Sequence, residues 1–362
     1  MSSLTRAVRA RLVHEWERGG SAGGARALAG GYHGLLRARE WLYDRRILTS
    51  RPLPCAVISI GNLTLGGTGK TPAVEYAVRT LAALGARPAV VSRGYGRRST
   101  GVRVVADGRS VLLEPRDAGD EPFLLARRLP GVPVVVGANR YEAARLALRR
   151  FGVSAVVLDD GFQNRSVVKD LEIVLVRAEN PWGNGRLFPA GPLREPVDAL
   201  ARAHLIVVSG AAGPDAVASV AAVAARHAPG VPVLAAEYEP VECWEARRLA
   251  PEPARTLTGK RLLGFAGIAW PDDFRRTLAA LGVDLAGFAA FPDHCWYGRG
   301  DLDRLAARAV AAGAEGLVTT EKDWVRLSSL PPSRLSLWAL GVRFVLRAGA
   351  DLWREALARP RR

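Results

Sequence analysis

The fold is decided by Gly61-Asn-Leu-Thr-Leu-Gly-Gly-Thr-Gly-Lys-Thr-Pro72, a glycine-rich stretch that reads GNLTLGGTGKTP. It follows the apolar run CAVISI at 55–60 and precedes a segment, 70–84, whose composition favours a helix. Glycines between a strand and a helix let backbone N–H groups turn toward an anion, and the N-terminus of the helix adds a favourable partial charge. The stretch therefore predicts a phosphate-binding loop.

This loop departs from the common pattern G-x-x-x-x-G-K-[ST], because Thr64 stands where that pattern has its first glycine. Lys70 supplies a positive charge for the β- and γ-phosphates of a nucleotide, and Thr71 supplies a hydroxyl for Mg²⁺. We call residues 64–71 the phosphate loop and predict that all of them bind the nucleotide: Thr64, Leu65, Gly66, Gly67, Thr68, Gly69, Lys70 and Thr71.

Around the phosphate loop, short β-branched runs alternate with helical segments. We predict strands at 55–60, 88–92, 132–136, 153–158, 171–176, 204–208 and 231–235, with helices at 70–84, 120–129 and 139–151 among them. Continuous apolar strands separated by helices are typical of a parallel sheet that is covered on both faces. The fold class is therefore predicted as α/β, with a P-loop NTPase-type parallel sheet between helices and a smaller C-terminal α/β domain.

The second domain is predicted from a change of composition along the chain. Residues 236–260 interrupt the alternation with Glu, Pro and Arg, and a second alternation follows. Its strands are expected at 261–266, 286–291, 316–319 and 336–345, and its helices at 271–281, 301–312 and 350–358. We divide the chain into an N-terminal helical segment (1–50) that is part of the first domain, a nucleotide-binding core (51–235), a linker or connecting hairpin (236–260) and a C-terminal domain (261–362).

Polar side chains at strand ends are the next candidates, because ligands of such sheets bind at the carboxyl ends of the strands. Asp159 and Asp160 directly follow an apolar strand, where an NTPase of this type needs a carboxylate for Mg²⁺; a turn or helix cap is the alternative. Asp120 lies at a predicted helix start, where acidic residues are also common caps. His294 follows a strand next to Asp293, which makes it a catalytic candidate.

The charge of the chain limits its partners less than its motifs do. The formal net charge is +16, so the surface attracts anions such as nucleic acid, acidic lipid or phosphorylated substrates. The sequence contains no nucleic-acid recognition motif, and we predict no nucleic-acid partner. Cys55, Cys243 and Cys295 are widely spaced, which favours a reducing compartment and argues against a zinc site.

The segment 32–48, YHGLLRAREWLYDRRIL, combines apolar and basic residues. Its apolar residues are expected largely on one side of a helix: Tyr32, Leu35, Leu36, Trp41, Leu42, Tyr43 and Ile47. An Arg-rich helix with Trp and Tyr suits a membrane interface. A helix packed on its own domain, with a solvated basic face, is the alternative.

Eight motifs come in the order found in tetraacyldisaccharide 4′-kinases of Gram-negative bacteria, and the chain resembles that family from about residue 30 to about residue 330. The motifs are SIGNLTLGGTGKTP (59–72), SRGYG (92–96), GDEP (119–122), LDDGFQ (158–163), GNGRLFPAGPLREP (183–196), FAGIAWPDDF (265–274), FPDH (291–294) and TTEKD (319–323). The resemblance implies transfer of the γ-phosphate of ATP, with Mg²⁺, to the 4′-hydroxyl of a tetraacylated glucosamine disaccharide 1-phosphate, giving lipid IVA.

The resemblance also implies where the enzyme acts. Members of the family are peripheral proteins on the cytoplasmic face of the inner membrane, so we expect segment 32–48 to contact an anionic membrane surface or acyl chains. We expect the chain to act as a monomer. The resemblance further implies an active site in the cleft between the two domains.

Residue by residue, the resemblance implies these roles. Asp120 matches the carboxylate that acts as base on the sugar hydroxyl, His294 matches its histidine partner across the cleft, and Lys70 completes the predicted catalytic set. The metal ligands would be Thr71, Asp159 and Asp160, and the residues lining the substrate site would be Tyr95, Gln163, Arg194 and Glu195. This sequence departs from the family at Asn164, Arg177 and Cys295, where the family often has His, an acidic residue and His.

A membrane-partitioning ATPase switch is the rival hypothesis. Such proteins carry K-G-G-x-G-K-[ST], in which the first lysine reaches the nucleotide of a partner subunit. Leu65 stands at that position here, which argues against the switch.

Overall fold

The computed structural model describes Trp16 and residues 23–210, 213–248, 250–327 and 335–359. Within them the strands are β1 Ala56–Asn62, β2 Pro88–Ser92, β3 Arg103–Asp107, β4 Pro133–Val136, β5 Ala155–Asp159, β6 Leu171–Arg177, β7 Leu205–Ser209, β8 Val233–Glu245, β9 Glu252–Pro253, β10 Arg261–Ala266, β11 Asp284–Ala290, β12 Gly316–Thr320 and β13 Ser336–Ala348. The helices are α1 Gly23–Asp44, α2 Lys70–Ala83, α3 Pro115–Ala118, α4 Asp120–Arg128, α5 Arg140–Phe151, α6 Pro214–His227, α7 Pro271–Ala280, α8 Arg299–Ala311, α9 Glu321–Leu327 and α10 Ala350–Ala358.

All these strands belong to one 13-stranded sheet with the order β11-β10-β12-β13-β8-β7-β6-β1-β5-β2-β4-β3, and β9 pairs with β8. Neighbouring strands are parallel except in the pairs β3–β4, β8–β9 and β8–β13. The predicted α/β class with a mostly parallel sheet is confirmed.

Alternate residues of the central strands face two separate hydrophobic cores. In β1, Ile58 and Ile60 pack in the same core as Val74 of α2. Val57 between them packs on the opposite face with Ala143 of α5. Both faces of the sheet are therefore covered by helices. The phosphate loop lies at the edge of the sheet, where β1 ends and α2 begins.

Two long strands, β8 and β13, carry the sheet from the nucleotide-binding half of the chain into the C-terminal half. The first residues of β8 pair with β7, and β8 then runs antiparallel to β13 from Ala235↔Ala348 to Glu245↔Trp338. The first residues of β13 pair in turn with β12. We call β8 and β13 the long-strand pair.

The prediction that the strand at 231–235 ends at residue 235 is wrong, because β8 continues to Glu245. The extension was missed because it contains Pro240, which lies beside a register shift in the pairing with β13, and several Glu residues. Within 236–260, β9 pairs back onto Glu242 and Cys243 of β8.

The apolar residues of the N-terminal helix do not all lie on one side of it, as the sequence predicted. Leu36 is buried and Tyr32 is half-buried, but Leu35 is 71% exposed and Trp41 is 50% exposed. Ile47 lies beyond the end of α1 at Asp44. The residues expected on one side are therefore divided between a packed face and an exposed face.

Candidate active site

The phosphate loop is anchored by a second loop that follows β6. Thr64 forms an isolated bridge with Leu193, and the N–H of Leu65 donates to the carbonyl of Pro192 at 2.7 Å. Gly66 and Gly69 have φ values of +109° and +71°, which side chains strongly disfavour. The glycines therefore permit the turn that brings the chain from β1 into α2.

Lys70, the first residue of α2, points to the ends of two strands. Its Nζ lies 3.1 Å from Oδ1 of Asn62 and 3.4 Å from Oδ1 of Asp160. Arg194 donates from Nη1 to both carboxylate oxygens of Asp160, at 3.0 and 2.8 Å. Burial alone would raise the pKa of Asp160, but the charges of Lys70 and Arg194 hold it well below its usual range.

Two predicted substrate-binding residues, Gln163 and Glu195, are neighbours of Arg194 and make different contacts. Gln163 donates to the carbonyl of Asn62 at 2.9 Å, and its Oε1 lies 3.5 Å from Arg194. Glu195 is buried and accepts from Arg202 at 2.5 Å. Gln163 thus belongs to the strand-end cluster around Asp160, whereas Glu195 is held by a neighbouring cation.

Asp159 is the buried member of the acidic pair. One of its oxygens accepts from the Ser92 hydroxyl at 2.9 Å, and Oδ1 is buried without a hydrogen-bond partner among the described residues. Burial, with the charges of Glu121 and Asp160, raises the pKa of Asp159 to about 7. A buried carboxylate oxygen beside other carboxylates is a suitable environment for a cation.

Magnesium would need ligands beyond this pair. No cluster of three or more His, Cys, Asp or Glu side chains within the described residues could hold a metal ion. Asp159, the hydroxyl of Thr71 and phosphate oxygens of a nucleotide together form an oxygen-rich set of the kind that Mg²⁺ prefers.

Asp120 and His294 meet across the two halves of the chain. Nδ1 of His294 lies 2.8 Å from Oδ2 of Asp120, which is buried at the start of α4. The φ of His294 is +58° and that of Asp160 is +54°, both in the left-handed region that only a minority of non-glycine residues adopt. Backbone strain of this kind clusters at functional sites.

Cations from the C-terminal half surround Asp120. Arg326 lies 3.7 Å from Oδ2 of Asp120, and Lys322 donates to Glu121 at 2.9 Å. Burial alone would raise the pKa of Asp120, but the hydrogen bond with His294 and the charges of Lys322, His294 and Arg326 hold it well below its usual range. The carboxylate is therefore ionised at neutral pH.

Behind this pair lies a buried network that orients Arg326. Asp323 accepts from the hydroxyl of Tyr297 at 2.5 Å, from the N–H of Gly267 at 2.9 Å and from Arg326 at 2.7 Å. Arg326 also donates to the carbonyl of Gly267, the residue whose carbonyl accepts from the N–H of His294. The network thus connects both members of the Asp120–His294 pair.

The C-terminal half also covers the phosphate loop. A Cβ at Gly67 would lie 3.3 Å from Cβ of Ala269, and one at Gly66 would lie 3.6 Å from the indole nitrogen of Trp270. Arg177, one of the departures from the family pattern, stacks on Trp270 at 4.1 Å and contacts Asp273 at 2.9 Å. This residue therefore joins the end of β6 to the start of α7.

Other predicted positions have clear locations. Tyr95 is 56% exposed, and its ring lies 5.6 Å from that of His294. Asn164 accepts from Ser166 in a local turn, and Cys295 directly follows His294. The structure thus brings Tyr95 to the Asp120–His294 pair, while Asn164 lies on the turn after Gln163.

The predicted site residues leave out four polar residues of this site, Asn62, Ser92, Lys322 and Arg326, although Lys322 lies in the motif TTEKD. Asn62 and Ser92 end β1 and β2, so the rule that polar residues at strand ends line the site could have found them. Lys322 and Arg326 lie on α9, a short helix that the sequence analysis did not predict.

Comparison with known proteins shows one family. The family model described as tetraacyldisaccharide-1-P 4′-kinase (LpxK) matches residues 25–359. A tetraacyldisaccharide 4′-kinase of Anaeromyxobacter dehalogenans strain 2CP-C is 43% identical over 324 residues, covering 88% of this chain and 85% of the relative. The enzyme of the same name from Syntrophus aciditrophicus is 42% identical over 321 residues, covering 85% of this chain and 84% of the relative.

A solved structure is similar over nearly the whole chain. It is that of LpxK from Aquifex aeolicus in complex with ATP, which is 30% identical and matches with a TM-score of 0.71. The match covers 91% of this chain and 96% of the other.

Proposed function

The chain belongs to the tetraacyldisaccharide 4′-kinase family, whose members phosphorylate the 4′ position of the lipid A precursor using ATP, and from this we propose how its own residues carry out the transfer. The acceptor is the tetraacylated glucosamine disaccharide 1-phosphate and the product is lipid IVA. The contact between Asp120 and His294 at 2.8 Å carries the proposal, because it joins a candidate base in the half of the chain that holds the phosphate loop to a histidine of the C-terminal half.

We propose that ATP lies with its phosphates in the phosphate loop. The N–H groups of the loop and the ammonium of Lys70 would stabilise the charge on the β- and γ-phosphates. Thr71 and Asp159 would hold Mg²⁺, with Asp160 beside them balancing Lys70 and Arg194. When bound, Mg²⁺ neutralises charge on the transferring phosphoryl group.

Asp120 and His294 act on the acceptor hydroxyl. As the 4′-oxygen forms its bond to the γ-phosphorus, the bond between that phosphorus and the β–γ bridging oxygen breaks and ADP leaves. The proton of the hydroxyl passes to the Asp120–His294 pair. Phosphoryl transfer has a loose transition state, so positioning and charge neutralisation supply most of the rate and the pair accepts the proton late.

We propose that Tyr95 contacts the acceptor sugar, because it is exposed beside His294. Gln163 and Arg194 would orient the carboxylate of Asp160 toward the phosphate region. Glu195 would act indirectly, since it pairs with Arg202 next to Arg194. We also propose a monomer as the active form.

We propose that α1 places the protein at the cytoplasmic face of the inner membrane as a peripheral protein. None of the described helices is long and apolar enough to cross a membrane. The exposed face of α1 carries Leu28 and Leu35, at 67% and 71% exposure, and basic residues that suit anionic lipid. Tyr32 on the packed face donates to the carbonyl of Arg194 at 2.8 Å, which would keep this helix close to the active site.

The domain division stays a proposal with one qualification from the packing. The core would be 51–235 and the smaller domain would begin at 261, yet Trp353 and Leu357 of α10 pack in the same core as Val74 of α2. The last helix therefore lies against the nucleotide-binding half.

The decisive experiment is transfer of ³²P from [γ-³²P]ATP to purified disaccharide 1-phosphate in detergent micelles. We expect a labelled lipid product from the wild-type protein and a loss of at least about 10²-fold in Lys70→Ala, which removes charge stabilisation in the transition state. The absence of product with folded wild-type protein would refute the proposal. ATP-dependent dimerisation in light scattering, without lipid product, would favour the ATPase switch instead.

The membrane contact has a separate test. Leu35→Glu should weaken co-sedimentation with phosphatidylglycerol vesicles several-fold without lowering Tm, because the side chain is already exposed. Val310→Glu, at a position 66% exposed on α8, is the matched control and should bind as wild type does. Equal binding by the two variants would contradict the membrane assignment of α1.

A further inference from the structure

Two side chains that have no part in the proposed transfer mechanism, Tyr238 and Ser209, donate hydrogen bonds to carbonyl groups of the phosphate loop. The hydroxyl of Tyr238, on β8, donates to the carbonyl of Thr68 at 2.9 Å and lies 3.3 Å from that of Gly69. The hydroxyl of Ser209, the last residue of β7, donates to the same Thr68 carbonyl at 3.1 Å.

The peptide bond explains why these contacts matter for a ligand on the other side of the loop. A peptide unit is planar and trans, so its carbonyl and its N–H point in opposite directions. Fixing the Thr68 carbonyl toward Tyr238 and Ser209 fixes the N–H of Gly69 on the opposite side. A buried carbonyl needs a donor, and without one this peptide can turn its oxygen toward the phosphate region, where it would repel an anion.

The phenol ring and Gly69 also fit each other sterically. A Cβ at Gly69 would lie 1.8 Å from the oxygen of Tyr238 and 2.0 Å from its Cζ. The glycine therefore serves two purposes, its positive φ and the close approach of the ring. Burial raises the pKa of Tyr238 above its usual value, so its hydroxyl keeps the proton that it donates.

We propose that Tyr238 and Ser209 are positioning residues for the nucleotide, which hold the Thr68 carbonyl outward so that the N–H of Gly69 faces the phosphates of ATP. This inference rests on the proposed use of the phosphate loop for ATP. It adds a specific function to the long-strand pair, because Tyr238 lies on β8 and its ring contacts Phe344 of β13 at 6.0 Å.

The test compares Tyr238→Phe, Ser209→Ala and the double variant by calorimetric titration with ATP and with inorganic triphosphate, both with Mg²⁺. Each single variant loses one hydrogen bond, so we expect Kd to rise about three- to tenfold. The rise should be the same for both ligands, because the loop contacts only phosphates. The double variant should lose more than the product of the single effects, since only it leaves the Thr68 carbonyl without a donor.

Kinetics separate this role from a purely structural one. The KM for ATP should rise in Tyr238→Phe while the KM for the lipid acceptor stays unchanged, and Tm without nucleotide should stay within about 2 °C, because the ring is kept. Tyr76→Phe is the matched control: its ring also packs on Phe344, at 5.4 Å, but from α2, and Kd should not change.

Three results would overturn the inference. Wild-type affinity for both ligands in Tyr238→Phe and in Ser209→Ala would show that the carbonyl contacts do not position the loop, even if phosphate transfer by the wild type stands. A fall in Tm with unchanged Kd would assign both residues to folding alone. Failure of the wild-type protein to bind either ligand would instead refute the nucleotide site itself, and this inference with it.

Discussion

Asp120 and His294 should lose activity as one unit. The variants are Asp120→Asn, which keeps the size of the side chain, His294→Ala, and the double variant. The two side chains share a contact of 2.8 Å in which the carboxylate is 4% exposed. If the two residues accept the proton together, removal of either one leaves the other unable to accept it.

The magnitude follows from the contact. A hydrogen bond to a buried charge contributes about 1.5–3 kcal/mol, which is roughly 10- to 150-fold in rate if it is made in the transition state. General acid–base catalysis contributes about 10²–10⁴-fold. We therefore expect each single variant to lower kcat by on the order of 10²-fold or more, and the double variant to lie within about threefold of the slower single variant.

The assay is steady-state ³²P transfer to the disaccharide 1-phosphate with both substrates saturating, and Tm is measured for each variant. His227→Ala is the matched control, because His227 is the last residue of α6, a helix whose buried residues pack in a different core from those of α2, and it should leave kcat unchanged. Losses that multiply in the double variant would mean that the two residues act independently. Near-wild-type kcat in both single variants would refute the assignment of the pair altogether.

Three further predictions concern the metal, the cover of the phosphate loop and the strand that leads into it. The pKa of Asp159 is raised from 3.8 to about 7, so the folded state binds an extra proton between these pH values and its stability should fall as pH rises from about 4 to about 7. Mg²⁺ must displace that proton, so Mg²⁺ should raise Tm more at pH 8 than at pH 6. Asp159→Asn should abolish both effects in a thermal scan. Arg177→Ala should lower the free energy of unfolding in urea by about 1–2 kcal/mol through loss of the Trp270 stack and of the ion pairs with Glu179 and Asp273. Exposed Arg275→Ala should change it by less than about 0.5 kcal/mol, and equal values would contradict the contact. Gly61→Ala should lower the free energy of unfolding by about 2 kcal/mol or more, because its Cβ would lie 2.6 Å from Cβ of Phe162. Gly31→Ala, in open space on α1, should raise it by about 0.5–1 kcal/mol. A reversed order of the two variants in urea unfolding would refute the steric argument.

The sequence predicts the central part of the fold well because its strands are buried on both faces. β2 and α10 begin and end at the predicted residues, 88–92 and 350–358. In such strands most residues are apolar, so the hydrophobic run marks the extent of the strand. β3 was missed because its first residues are exposed and its hydrophobic run is short.

Elements that depend on distant partners could not be predicted in the same way. α9 begins directly after β12, without a loop, and has only seven residues, so the sequence shows neither a break nor a helical period. Its inward face is fixed by contacts such as Arg128 with Glu321 and Glu121 with Lys322, which join residues far apart in the chain. For the same reason Tyr238 could not be connected with the phosphate loop, although Lys70, Asp160 and Arg194 could be grouped from local motifs.

The long-strand pair has a consequence for how the protein is made. β8 emerges from the ribosome roughly a hundred residues before its antiparallel partner β13, so one side of β8 stays without hydrogen bonds while the intervening chain is synthesised. An open strand edge is a template for pairing with another chain. A nascent or truncated chain that ends before residue 336 would therefore carry a finished phosphate loop beside an aggregation-prone edge, and only synthesis of the last strand would close it.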